Sequence, residues 1–430
     1  MLLVILAPET AGPTGRCGML TAVTSVERFE REFATLTEIG RDPVSGGYSR
    51  FAWTPEDRAA RAWFAAAAGE RGLALETDRN GNLWAWWGEN CGDALVLGSH
   101  LDTVPGGGAY DGALGVVSAF LAVDELIASG LRPSRPVAVA AFADEEGARF
   151  GLPTCGSRLM TGALDPAEAL RRTDAGGVSL SQALRSAGVD PARIGPDPER
   201  IAGIGHFLEL HIEQGRGLVD LGAPVGLATG IWPHGRWRLS LTGVPNHAGT
   251  TRLADRHDPT LPLASAVAAA RALATAADGP VATMGRVLVE PNSTNSVPVS
   301  ATAWLDARAA SDDILDSLVA DWTEDVRRAA AAEGVEMAVT AESRSAAVTF
   351  DVALTDRLAT VLADRGRSAP RLPTAAGHDA GALAAVVPAA MLFVRNPTGV
   401  SHSPAEHADP ADCVTGVSVL AAVIEELACR

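Results

Sequence analysis

The spacing of apolar positions changes rhythm along the chain, and each change predicts a different kind of element. From Pro55 to Glu70 they recur at helical intervals, with Thr54 placed as an N-cap and Gly72 as a stop. The polar turn Asn80-Gly81 then opens a region of short apolar runs. Ala94 to Leu97, Val137 to Ala143 and Phe207 to Ile212 read as interior strands, and Ala113 to Ala128, ending at Gly130, reads as the helix between the first two. Buried strands alternating with helices predict an α/β core with a largely parallel sheet.

After Gly230 the pattern becomes one of alternation. Gly235 to Thr242 places Trp237, Leu239 and Leu241 on one face. An alanine-rich helix follows over Pro259 to Ala276, then strands at Met284 to Val289 and Ala301 to Leu305, a helix over Ser311 to Ala332, and a strand at Met337 to Thr340. The order β-α-β-β-α-β is a split βαβ unit of about 110 residues, a size that folds alone, so it is expected to be an insertion. The domains are therefore expected at residues 1–229 and 346–430 for a core built from two segments, and at 230–345 for the inserted unit. The second core segment carries a helix at Thr355 to Arg365, a strand at Ala390 to Val394 and a closing helix from Ala411 to Ala428.

Composition narrows the chemistry. All 35 basic residues are arginine, which excludes a Schiff-base lysine, a P-loop lysine and a Ser-Lys pair. With 52 acidic residues the net charge is -17, the wrong sign for nucleic acid or an anionic membrane, so a small-molecule partner is expected. The five cysteines, Cys17, Cys91, Cys155, Cys413 and Cys429, are scattered without a C-x-x-C spacing, which argues against a disulfide framework and for a reducing, cytoplasmic setting. No uncharged apolar run reaches the ~18 residues of a membrane span, and residues 1–20 read as a loose leader.

The polar residues at the ends of the core strands carry the candidate chemistry, because ligands of open α/β sheets collect there. One segment runs from Gly98 to Gly112. It offers His100, then Asp102 to fix the imidazole tautomer, then Asp111 after a glycine-rich loop that lets the backbone double back. The adjacent Glu145 and Glu146 can divide into one metal ligand and one general base. His211 and the segment Ser401 to His407, containing His402, complete the donors. Singly, each has an ordinary structural reading: a hydrogen-bonded histidine, a solvated acidic loop, a glycine turn. Their joint order is the signal.

Several motifs occur in order from Ile39-Gly40-Arg41-Asp42 to His402. They are Tyr110-Asp111-Gly112, Glu145-Glu146-Gly147, Arg149-Phe150-Gly151, His211-Ile212-Glu213-Gln214-Gly215, His247-Ala248-Gly249-Thr250-Thr251, Asn292 to Pro298, Asp306-Ala307-Arg308, Gly377-His378-Asp379-Ala380 and Ser401-His402-Ser403. Together they resemble the dinuclear zinc amidohydrolases of the M20 peptidase superfamily, in the branch of N-carbamoyl-L-amino-acid hydrolases, β-ureidopropionases and allantoate amidohydrolases. The resemblance implies a two-domain α/β fold, with a central mixed sheet in the catalytic domain and an inserted ferredoxin-like lid that pairs with its copy in a homodimer.

It also implies two divalent metal ions per subunit, Zn²⁺ first, with Mn²⁺, Co²⁺ or Ni²⁺ able to occupy such sites. His100, Asp111 and His211 would hold one ion and Asp111, Glu146 and His402 the other. Glu145 would be the general base, Asp102 the orienting partner of His100, and His247 a donor to the oxyanion. Gln214 and Asn295 would orient an amide or ureido group, and Arg308 would fork onto a carboxylate of a small anionic, amino-acid-like substrate. Gly377 and His378 would meet substrate or hold the loop that does. The implied reaction is hydrolysis of a linear non-peptide C–N bond. An N-acyl or N-formyl amino-acid hydrolase with the same metals is the alternative, and a binding protein on a dead hydrolase fold would have lost ligands that are all present here. Two departures, Arg252-Leu253 after Thr251 and Ala375-Ala376 before Gly377, fall on the substrate side and leave the exact substrate open.

Overall fold

Strands buried on both faces cannot alternate apolar with polar residues, which is why the core strands read as unbroken apolar runs. In the computed structural model, which describes residues 25–89, 91–276 and 279–429, four of them lie side by side and parallel, in the order Val137–Phe142, Ala94–His100, Ile204–Ile212, Ala389–Val394. The expected leader over residues 1–20 lies outside the described residues. Successive side chains of these strands feed two separate cores: Leu95, Leu97, Val137 and Val139 enter one, and Val96, Ala138, Ala140 and Phe207 the other. The first core is covered by the helices Ala113–Ala128 and Pro410–Ile424, which pack on each other; the second is closed in part by Asp379–Leu383.

The whole sheet has nine strands and is mixed, where the apolar pattern alone predicts a largely parallel one. Leu83–Trp87 runs antiparallel to Val137–Phe142 and pairs with Ala74–Thr77 across the Asn80-Gly81 turn, because so short a connection returns the chain antiparallel. At the other margin Val225–Ile231 lies antiparallel to Ala389–Val394. The helix Ser25–Thr37, whose buried Phe29, Phe33 and Leu36 are set in a charged sequence, and the short helices Cys155–Thr161, Pro166–Arg171, Leu180–Ser186 and Pro198–Ala202 are not among the expected elements.

A separate antiparallel sheet has the order Glu336–Ser345, His234–Thr242, Ser300–Arg308, Val281–Glu290. Its central strands alternate strictly in burial, and the inward set, with Leu239, Leu241, Ala303 and Leu305, packs against the helices Thr260–Ala276 and Asp312–Ala332. This is the β-α-β-β-α-β unit expected of the insertion. Between its first strand and first helix, and between two later strands, the chain adds a small ribbon in which Asn246–His247 pairs with Ser296–Val297.

Candidate metal centre

The carboxyl ends of the four parallel strands converge on one edge of the sheet, and each delivers donor side chains there. His100 ends its strand, His211 lies in the last turn of the pleat of Ile204–Ile212, Glu145 and Glu146 follow Val137–Phe142, and His402 follows Ala389–Val394. Asp111 arrives on the loop before the helix Ala113–Ala128. That approach depends on Gly112, which has φ 65° and stands so near His100 that an added Cβ would lie 2.5 Å from its ring.

Asp111 is the centre of the arrangement. Its Oδ1 lies 3.4 Å from His100 Nε2 and 3.1 Å from His211 Nε2, and its Oδ2 lies 3.3 Å from His402 Nε2, which is itself 3.7 Å from Glu146 Oε2. Two donor groups result, His100, Asp111, His211 and Asp111, Glu146, His402, each with ligand atoms within 4.8 Å of one another and with Asp111 common to both. His100 Nδ1 donates to the Asp102 carbonyl at 3.0 Å and His211 Nδ1 to the Ile212 carbonyl at 2.8 Å, a tautomer assigned from these partners. Both Nε2 atoms then turn lone pairs toward a carboxylate. Acceptors facing acceptors, together with a buried Glu146 Oε1 that has no hydrogen-bond partner, are what a divalent cation in each group would satisfy, and mixed imidazole and carboxylate donors suit a first-row ion.

Electrostatics mark the same place. Burial pushes the Asp111 carboxyl up, but positive charge on the three imidazoles, standing where a divalent cation would stand between neutral rings, outweighs it and holds the carboxyl well below the usual carboxylate range. Glu145 has the opposite outcome: burial raises it well above the ordinary value against the pull of His100, whose Nε2 is 3.7 Å from Glu145 Oε2. Burial, then Asp111, pushes Glu146 up to about 7. His378 is held well below the ordinary imidazole value by burial and by His211, whose ring centroid is 4.4 Å away, so it is neutral.

Asp102 corrects one expectation. The expected carboxylate bond to His100 is made by the Asp102 carbonyl, while the carboxylate, 3.7 Å from Nδ1, accepts from the backbone N–H groups of Glu145 and Glu146 at 3.1 and 3.0 Å. One residue thus orients the histidine through its backbone and the acidic loop through its side chain. Gln214 Nε2 lies 3.0 Å from Asp111 Oδ2 and 3.4 Å from His402 Nε2, inside the cluster. His378 is buried behind His211, and Gly377 beside it is exposed.

The residues expected from the insertion are elsewhere. His247 and Asn295 are both exposed and share the small ribbon, where Ala248 N–H donates to the Asn295 carbonyl at 2.9 Å; among the described residues neither shares a hydrogen bond, ion pair or ring contact with the cluster. Gly249 N–H donates to His247 Nδ1 at 3.0 Å, which leaves the proton of the neutral ring on Nε2. Arg308 does reach across: its Nε donates to Asp306 Oδ1 at 3.0 Å and its Nη1 to the Ala375 carbonyl at 2.6 Å, in the loop leading to Gly377.

Glu209 and Glu406 are among the buried carboxylates of this region that sequence reasoning leaves unassigned. Glu209 accepts from Ser99 Oγ at 2.7 Å and Ala380 N at 2.8 Å, so although it groups with His211 and His378 its oxygens are already occupied. A charged residue inside the apolar run Phe207 to Ile212, on the same strand face as His211, is the sign that would have found it. Glu406 is hydrogen-bonded to the Asp111 loop and to Ser401.

With this geometry in place, comparison with known proteins is specific. The profile of the family described as Peptidase family M20/M25/M40 matches residues 96–426. The chain is 35% identical over 407 residues to the N-carbamoyl-L-amino acid amidohydrolase of Geobacillus stearothermophilus, covering 94% of this chain and 98% of that one. It is 31% identical over 409 residues to the allantoate amidohydrolase of Escherichia coli K12, again covering 94% and 98%. Among solved structures, a hydantoinase/carbamoylase family amidase from Burkholderia ambifaria superposes with a TM-score of 0.81 at 32% identity, covering 94% of this chain and 97% of that one.

Proposed function

The chain belongs to the M20/M25/M40 peptidase family, and on that footing we propose that it is a metal-dependent amidohydrolase. It cleaves the linear C–N bond of an N-carbamoyl-L-amino acid or of a ureido acid such as allantoate. The observation that carries the reading is Asp111 shared between two donor groups with the Glu145 carboxyl beside them. His100, Asp111 and His211 would hold one divalent cation and Asp111, Glu146 and His402 a second, with Zn²⁺ favoured by the donor set and Mn²⁺, Co²⁺ or Ni²⁺ compatible with it. Bound there, such ions supply Lewis acidity and bring the ionisation of water toward neutral pH.

The chain's own residues then divide the work. Glu145 takes the proton of the attacking water and returns it to the leaving nitrogen; its burial holds the proton affinity high enough for both steps. The backbone-fixed tautomer of His247 presents Nε2–H, the form that donates to an oxyanion as charge develops. Arg308 exchanges its Asp306 partner for the substrate carboxylate, a bidentate match for its fork. Gln214, Asn295 and the exposed Gly377 backbone orient the ureido group, and neutral His378 supports His211 from behind. Because His247 and Asn295 stand on the inserted lid, closure of the lid over the metals, in this subunit or from a partner, completes the site and excludes water. A homodimer through the lid is supported by its edge strand Val281–Glu290, on which Val281, Val287 and Leu288 are exposed.

A cytoplasmic setting agrees with Cys91, Cys155, Cys413 and Cys429 all being free thiols, and no helix of the described residues is long and apolar enough to cross a membrane. The test is a panel of N-carbamoyl-L-amino acids, allantoate and N-formyl amino acids, assayed with metal-reconstituted enzyme. Ammonia from a carbamoyl or ureido substrate is expected. Formate from formyl substrates alone would move the reading to an acylamino-acid hydrolase, and no turnover of any would overturn it.

A further inference from the structure

Asp111 and His402 lie on opposite sides of the insertion in sequence, and something must hold their loops in register for the imidazole to meet the carboxylate. Glu406 touches both. Its Oε1 accepts from the backbone N–H groups of Tyr110 and Asp111, each at 3.0 Å, and its Oε2 accepts from Ser401 Oγ at 3.1 Å. Ser401 Oγ in turn accepts from Gln214 Nε2 at 3.2 Å, and Gln214 Nε2 also lies 3.0 Å from Asp111 Oδ2. The contacts close a ring that begins at the Asp111 backbone and ends at the Asp111 carboxylate.

We infer that Glu406 is a positioning residue that fixes the shared carboxylate Asp111 and the His402 loop in a single frame; this rests on the two-ion reading above. The chemistry of the ring asks for a carboxylate. Every group hydrogen-bonded to the Glu406 side chain is a donor, and a carboxylate offers an acceptor on both oxygens. A glutamine would keep the two backbone N–H bonds but turn an NH₂ toward Ser401 Oγ, whose O–H would lose its acceptor. Glu406 is 4% exposed, so water does not repair the mismatch. The last glycine of the Gly106-Gly107-Gly108 run is explained as well, since a Cβ on Gly108 would overlap Glu406 Oε1. Gly108 thus leaves the space that the buried Glu406 carboxylate fills.

Residues that orient metal ligands typically contribute about 10–100-fold to metal affinity. The experiment strips the full-length enzyme of metal and titrates it with Zn²⁺ by equilibrium dialysis and elemental analysis, for wild type, Glu406→Gln, Glu406→Ala and Ser401→Ala, with melting temperature as the folding control. Wild type is expected to take up two ions. In Glu406→Gln the weaker ion is expected to bind about 10-fold less tightly, and in Glu406→Ala up to about 100-fold less tightly. Ser401→Ala, which removes only the Oε2 arm, follows Glu406→Gln, and kcat falls in the same order while KM changes little. Should Glu406→Ala fail to fold, Glu406→Gln and Ser401→Ala decide. Folded variants that bind both ions as tightly as wild type would overturn the inference alone, whereas a wild type that never takes up a second ion would overturn the two-ion reading and the inference with it.

Discussion

The two sheets of this molecule bury different things. The four-stranded sheet and its helices enclose only apolar side chains, from Leu239 and Leu241 to the fully buried Trp322, whose indole N–H is satisfied by the Ala266 carbonyl at 2.9 Å. The nine-stranded unit is just as well packed but also encloses Arg50, Asp57, Asp111, Glu145, Glu209 and Asp379. Buried charge opposes folding unless it is paired. The catalytic unit therefore carries a destabilising load that its large double core offsets, and among the described residues of the lid no charged side chain is fully buried. Chemistry sits where stability has been given up, and the inserted unit packs an apolar core of its own.

The largest effect expected from this contrast separates activity from stability in the core. Glu145→Gln removes the proposed base while keeping the shape, so kcat should fall by about 10²–10⁴. The same change removes a charge that burial disfavours, so the melting temperature should hold or rise. Steady-state rates and thermal unfolding on the same preparation check both halves, and a variant within tenfold of wild-type kcat would take Glu145 out of the mechanism.

In the lid the trade should invert. Trp322→Ala leaves a cavity between Thr260–Ala276 and Asp312–Ala332 and removes the indole N–H bond to the Ala266 carbonyl, at a cost of about 3–5 kcal/mol. Denaturant unfolding should register that loss equally at acidic and neutral pH, since the buried side chains clustered with Trp322 are apolar. Metal content of the folded fraction should match wild type. Loss of metal in parallel with lid stability would show that the two units are not independent.

That contrast also decides what could be read from sequence. In the lid, alternation alone gives the elements, because one face of each central strand is apolar and the other is not: Trp237, Leu239 and Leu241 already mark the inner face. The catalytic strands are legible as unbroken apolar runs, and His100, Asp111, Glu145 and His211 are legible because polar residues at the ends of such runs are conspicuous. The rest depends on contacts that spacing does not encode. The strand Leu83–Trp87 is tryptophan-rich and lies at the parallel sheet's margin, where period gives no direction. Glu209 hides in mid-strand. Glu406 acts on backbone N–H groups of a loop far away in sequence, and no side-chain pattern reports which backbone groups need an acceptor. The meeting of His247 with Asn295 rests on a ribbon only two residues wide on each strand, below what periodicity can detect.

The smallest of the expected effects tests the load itself, away from the metal ligands. Asp57, 6% exposed, accepts from Trp53 N–H at 2.8 Å at the start of the helix Pro55–Glu70. Burial pushes its carboxyl up to about 6 against the attraction of Arg61. Between the ordinary value of 3.8 and that value the folded chain keeps a proton that the unfolded chain has released, so this group's contribution to stability falls as pH rises through the window and is flat on either side. The full span is worth at most about 3 kcal/mol. Asn in its place still accepts from Trp53 but has no proton to lose. Asp57→Asn should therefore match wild type near pH 4 and become more stable than it by about 1–3 kcal/mol at pH 7, the gain developing between those limits. Urea unfolding at several pH values measures it directly. A gain of the same size at both ends would mean that packing rather than buried charge sets the stability at this position, and the electrostatic half of the contrast would then rest on the metal-site carboxylates alone.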